Sequence, residues 1–123
     1  MHWQTEWAAN KYWVMAHSQQ AYNQIRQLAK HNDWTPAKQA AYHEIIATAS
    51  VQSPTRATLT TAYQHVWGYF KKLATPAEKQ FYLASLATLT PDNDQLGPFL
   101  VQLTDKYNVQ YLKQSRLIQE LRD

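Results

Sequence analysis

Three hydroxyl–proline pairs, Thr35-Pro36, Ser53-Pro54 and Thr75-Pro76, constrain this chain more than any other feature. A serine or threonine oxygen accepts the unpaired N–H groups of a helix's first turn, and proline suits the first helical position because its missing N–H has no partner there. Each pair therefore marks a helix start. Thr75-Pro76-Ala77-Glu78 goes further, since the Glu78 carboxylate can reach back to the Thr75 amide as a capping box. Gly97-Pro98 marks another start, after the turn-forming run Thr90-Pro91-Asp92-Asn93-Asp94.

Between these marks apolar residues recur three and four positions apart, which puts them on one side of a helix. Tyr22, Ile25, Leu28 and Ala29 form one such stripe, Tyr42, Ile45, Ile46 and Ala49 another, and Tyr82, Leu83, Leu86 and Leu89 a third. Seven helices are predicted, over 3–16, 18–31, 36–50, 54–73, 76–88, 97–107 and 109–121. With only two glycines and 45% hydrophobic residues, the composition favours helices over a turn-rich β fold. The length of 123 residues suits one domain around one core. The expectation is a compact all-α bundle of about seven helices, one domain over 1–123.

Composition also removes several kinds of chemistry. There is no cysteine, which excludes disulfides, thiolate-bound zinc, iron–sulfur clusters and a cysteine nucleophile. His2, His31 and His43 have no partner at ligand spacing, and adjacent His43 and Glu44 diverge on a helix, so no metal and no cofactor are expected. No apolar run approaches the roughly 20 residues of a membrane span, and MHWQTEWAANKYW has no signal-peptide pattern. A cytoplasmic protein with no membrane partner is expected.

The net charge of +3 is unevenly placed: residues 1–90 sum to +4 and residues 91–123 to −1. That permits a polyanionic partner without requiring one. Five Trp and eight Tyr are many for this length. Most belong in a core, and some can serve as stacking platforms for bases.

Tyr63 to Lys72, YQHVWGYFKK, carries two faces on one predicted helix. Leu59, Ala62, Tyr63, Val66, Phe70 and Leu73 form an apolar stripe. Thr61, His65, Gly68 and Lys72 form a second stripe, with Tyr69 at its edge and Gln64 and Lys71 further round. Glycine inside a helix costs about 1 kcal/mol relative to alanine, so Gly68 implies close approach by a neighbouring helix or by a ligand. Arg56, in the first turn, lies roughly 23 Å along the helix from Lys71 and Lys72. That spread fits a phosphate track, or plain solvated charge, better than one catalytic centre.

Upstream, Lys11 falls between Trp7 and Val14 on one helical side. Ser18 either caps the helix beginning at Gln19 or joins Lys11 and His17 in an anion site at that helix start. His17 and His65 are the candidates for an acid/base pair, provided that they converge from different helices.

KYWVMAHSQQAY (Lys11 to Tyr22), then Thr55-Arg56, then QHVWGYFKK (Gln64 to Lys72), then Tyr111-Leu112-Lys113-Gln114, together resemble the bacterial YbgA family. The resemblance implies an all-helical domain of unknown function, found alone or C-terminal to thiouracil-desulfidase-type domains. Those fusions are associated with removal of sulfur from 4-thiouridine in transfer RNA, the helical half holding the RNA. Desulfidation of that kind uses a cysteine-bound iron–sulfur cluster, so a cysteine-free chain implies a binding module. Two departures stand out. Leu59 and Thr61 replace a histidine and an asparagine, and SRLIQELRD replaces a proline-containing tail.

The expected function is therefore RNA binding, with transfer RNA as the partner and a separate desulfidase or other modification enzyme as the beneficiary. Lys11, Arg56, Lys71 and Lys72 would contact phosphates, while His17, Ser18, Gln64, His65 and Tyr69 would hydrogen-bond or stack. The alternatives are a small hydrolase or nuclease using His65 and His17, or a protein-interaction adaptor docking through the Gly68 stripe. The RNA reading expects the His17 and His65 segments to meet on one exposed basic patch.

Overall fold

Thr35 and Thr75 each accept the N–H three residues on, from Lys38 and Glu78, and the helices they open begin at Pro36 and Pro76 as predicted. The Thr75–Glu78 capping box closes in both directions. In the computed structural model, which describes residues 2–122, the described chain forms eight helices. They are α1 (Trp3–His17), α2 (Gln19–Ala29), α3 (Pro36–Ser50), α4 (Arg56–Trp67), α5 (Pro76–Ala87), α6 (Leu96–Lys106), α7 (Gln110–Lys113) and α8 (Arg116–Leu121). The fold is all-α and a single domain.

Several boundaries differ from the sequence reading. α4 starts after Thr55, not Ser53, because Thr55 and Thr58 cap each other reciprocally. The third residue beyond Ser53 is Arg56, which carries only donors and cannot return a bond to the Ser53 amide. At its other end α4 stops at Trp67, and residues 68–73 continue in tighter turns, with Phe70 bonded to Trp67 and Leu73 to Phe70. Leu73 consequently leaves the apolar stripe and is 55% exposed.

α6 begins at Leu96, where the Asp94 carboxylate accepts the Gly97 amide at 2.8 Å. The segment predicted as one helix over 109–121 breaks at extended Ser115. An unbroken helix would set Leu117 about 140° and Ile118 about 120° round from Leu112 at 100° per residue. The break brings all three into the core.

α1 is the central element, packed by α2, α3, α4 and α8. Five consecutive residues, Tyr12 to Ala16, are buried, which a helix achieves only when neighbours cover it all round. α6 forms the second hub, against α4, α5, α7 and α8. Tyr42, Tyr63, Phe70, Met15 and Ile25 are among the largest fully buried side chains, and burying each such apolar group contributes about 1.5–3 kcal/mol. α8 closes over Trp13: Arg116 lies 3.6 Å from the indole centroid, and Glu120 accepts both the indole N–H and the Arg116 guanidinium.

Candidate nucleic-acid interface

Three tyrosines from three distant segments meet at one place. Tyr12 on α1 hydrogen-bonds Tyr69, just beyond α4, oxygen to oxygen at 3.0 Å. Tyr69 stacks on Tyr111 of α7, ring centroids 5.7 Å apart and planes within 20°. Tyr111 in turn donates to the Ala8 carbonyl of α1. His65, one turn before Tyr69, lies with its ring 6.4 Å from Tyr12. Tyr12 is buried, Tyr69 half-buried and Tyr111 40% exposed, so the cluster runs from core to surface. Burial first, and then the hydrogen bond with Tyr69, push the Tyr12 phenol far above its ordinary value. Burial first, and then nearby Tyr69, also raise Tyr111. The Tyr12 and Tyr111 phenols therefore stay protonated near neutral pH, and the cluster presents an aromatic face.

The two histidines belong to separate places. The His65 Nδ1–H donates to the Thr61 carbonyl of its own helix at 2.8 Å, which leaves Nε2 as an exposed acceptor in the neutral ring. His17 donates Nδ1–H to the Gln52 carbonyl in the α3–α4 connection and packs 4.4 Å from Trp13. His17 is five residues beyond Tyr12, about 7.5 Å along α1 and 140° round it. His17 and His65 therefore lie on different flanks, and the expected single patch holding both does not form.

Lys11 also departs from expectation. Ser18 is buried and caps α2 by accepting the Ala21 amide. Lys11 stands apart from it, beside Arg26 and Lys30 in a cleft between α1 and α2. Its ammonium is 5.8 Å from the Tyr12 ring, which also places it against the tyrosine cluster.

Gly68 is exposed, closes α4 in ordinary right-handed geometry, and would meet only its own chain's His65 and Gln64 carbonyls if given a Cβ. No other element packs on it. The close approach is at Gly97, where a Cβ would come within 2.8 Å of both Leu121 and the Tyr63 hydroxyl. Of the positions that depart from the resembled pattern, Leu59 is buried in the core and Thr61 holds the Ala57 carbonyl.

Lys38, Lys106, Arg116 and Arg122 pair with carboxylates. Among the described residues the other eight of the twelve Lys and Arg have no carboxylate partner. They include Lys11, Arg26, Lys30, Arg56, Lys71 and Lys72. Arg56 donates to the Ala87 carbonyl that ends α5, while Gln64, Lys71 and Lys72 are exposed. Sequence reasoning passed over Tyr12, Arg26, Lys30 and Tyr111. The i, i+4 ladder Tyr22–Arg26–Lys30 was the available signal for two of them, and the tyrosine in each motif for the others.

Among the described residues no helix is long and apolar enough to cross a membrane. None of their His, Asp and Glu form a group of three or more that could hold a metal ion. No curated protein and no solved structure matches the chain. A family model described as "Protein of unknown function (DUF1722)" matches residues 11–121, a span that contains every residue of the tyrosine cluster. The chain belongs to the DUF1722 family, the YbgA-like helical domain.

Proposed function

We propose that this domain binds RNA, with transfer RNA as its partner, and presents it to a separate modifying enzyme such as a desulfidase. The patch expected to hold both histidines does not form, so the reading narrows to the His65 flank, where an aromatic platform stands beside cations that have no carboxylate partner. Tyr111 and Tyr69 offer stacked rings, His65 an exposed acceptor, and Gln64 an amide. Lys11 adjoins Tyr12, while Lys71 and Lys72 follow Tyr69 within three residues. Bases stack on such rings with about 1–3 kcal/mol each, and lysines supply the phosphate contacts. Separation of His17 from His65 favours binding over hydrolysis, since an acid/base pair must reach one reacting group.

Filter binding of a transfer RNA across a range of salt concentrations tests the reading. Affinity should fall linearly on a log–log plot, each phosphate contact adding close to one unit of slope. The Lys71→Gln, Lys72→Gln double substitution should flatten that slope. Absence of any salt-dependent retention overturns the proposal. RNA recovered with its mass changed would move the assignment to an enzyme.

A further inference from the structure

The cleft between α1 and α2 is formed by two side-chain ladders, Trp7 and Lys11 on one helix, Tyr22, Arg26 and Lys30 on the other. Residues four apart share a helix face, so each ladder points one way. The cleft is a shallow one, open to solvent, with room of about 310 Å³, and no acidic side chain lines it. Arg26 is steadied over the Tyr22 ring, its guanidinium carbon 5.9 Å from the centroid. Arg26 and Lys30 also border a second cleft of about 380 Å³ with Asn23 and Gln27.

This arrangement is unfavourable for an isolated domain. Like charges at i and i+4 destabilise a helix, and Lys11 faces them from the opposite side. The negative end of α2 offsets part of this for Arg26 and Lys30. It leaves unexplained Lys11, which sits near the middle of α1 with no carboxylate to meet. An anion in the cleft would satisfy all three groups together. Trp7, half-buried at the same cleft, adds an aromatic surface that a bare phosphate would not use.

We propose that this cleft holds one unpaired nucleotide, its phosphate on Lys11, Arg26 and Lys30 and its base against Trp7. The inference rests on the RNA reading and narrows it to RNA that presents a nucleotide outside a helix. The volume is at the lower limit for a small-ligand site, roughly 300 Å³. That is room for one base, and stacking on Trp7 needs a base whose face is free of its helical neighbours. Trp7 packs on Tyr22 at 5.8 Å and edge-on to Tyr42 at 6.4 Å, and the part of the indole that lines the cleft is the surface left for a base to stack on. Asn23 and Gln27 border the neighbouring cleft that shares Arg26 and Lys30, and can take the adjoining sugar–phosphate. A lipid headgroup fits less well, because none of the large exposed apolar side chains lies on α1 or α2.

The experiment is titration of the whole chain with uridine 5′-monophosphate, uridine and inorganic phosphate, followed by amide and indole NMR shifts. The nucleotide should give saturable shifts at Trp7 and along α1 and α2, with uridine and phosphate each at least tenfold weaker. The Arg26→Gln, Lys30→Gln double substitution should weaken the nucleotide at least tenfold while the melting temperature holds or rises, because it relieves the like-charge crowding. Trp7→Leu should bring the nucleotide down to the affinity of phosphate.

No saturable shift at these residues overturns the proposal. So does phosphate binding as tightly as the nucleotide, or unchanged affinity in the double variant. The two readings fail separately. Transfer RNA bound equally well by wild type and double variant removes the cleft alone, whereas nucleotide binding without transfer RNA binding removes the RNA reading alone.

Discussion

Tyr12 and Tyr69 join oxygen to oxygen at 3.0 Å, and this one bond fastens the middle of α1 to the turn that follows α4. Tyr12 is buried and Tyr69 half-buried. Removing the Tyr12 hydroxyl leaves Tyr69 free to turn to solvent, so little desolvation penalty remains. Tyr12→Phe should cost about 0.5–1.5 kcal/mol, the net worth of one hydrogen bond. Urea unfolding of both single variants and the double variant measures it. Costs that add across the pair would show that the bond contributes nothing.

The two glycines should differ in how much they tolerate a methyl. Gly97→Ala drives a methyl into Leu121, the Tyr63 hydroxyl and the Asp94 carboxylate, where Tyr63 and the Gly97 amide are both bound. Overpacking at such a point costs about 1–3 kcal/mol. Gly68→Ala meets only the His65 carbonyl, at 3.1 Å, and it stiffens the unfolded chain. Its net effect should stay within about 0.5 kcal/mol, because the gain of about 0.4–1 kcal/mol from the unfolded state offsets a small carbonyl shift. Thermal melts of the two variants decide the order.

Acid should loosen the α5–α6 contact through Glu78. Lys106 first, then the Tyr107 hydroxyl and the Thr75 amide, hold the Glu78 carboxyl down to about 2 from an ordinary 4.5. A carboxylate whose folded value is depressed contributes its stability above the unfolded value and loses it as pH falls toward the folded one. The loss therefore spans about pH 4.5 to 2. Glu78→Gln should flatten the stability profile in that window and lower stability at pH 7. A variant that kept the wild-type acid slope would place the loss elsewhere.

The histidines should separate stability from binding. His17→Ala removes a bond to Gln52 and a ring against Trp13, at a cost of about 1–2 kcal/mol, with RNA affinity unchanged. His65→Ala removes a bond within its own helix and a loose ring contact with Tyr12. It should leave the melting temperature within experimental scatter while weakening RNA retention severalfold. The reverse pattern would move the interface to the other flank of α1.

Local chemistry made much of the fold legible. Thr35 and Thr75 cap where their hydroxyls and prolines say, because a cap is satisfied within four residues. Ser53 was misleading because Thr55, two residues later, has a reciprocal partner that it lacks. The break at Ser115 and the end of α4 at Trp67 answer to packing demands from other helices, which no window of sequence contains. The same holds for the candidate site. Tyr69, His65 and Lys11 could be named from their motifs, but their neighbours could not. Lys11 meets Arg26 because α2 folds back along α1, and His17 parts from His65 because five residues turn a helix by 140°.

The clasp on Trp13 has a kinetic consequence. The Glu120 carboxylate that accepts its indole lies 107 positions along the chain, and buried Leu117 and Ile118 arrive with the same short helix. Contacts of such long sequence separation slow folding, since the loop must close before they reward it. On a translating ribosome, α1 must wait uncovered on that side until α8 has emerged.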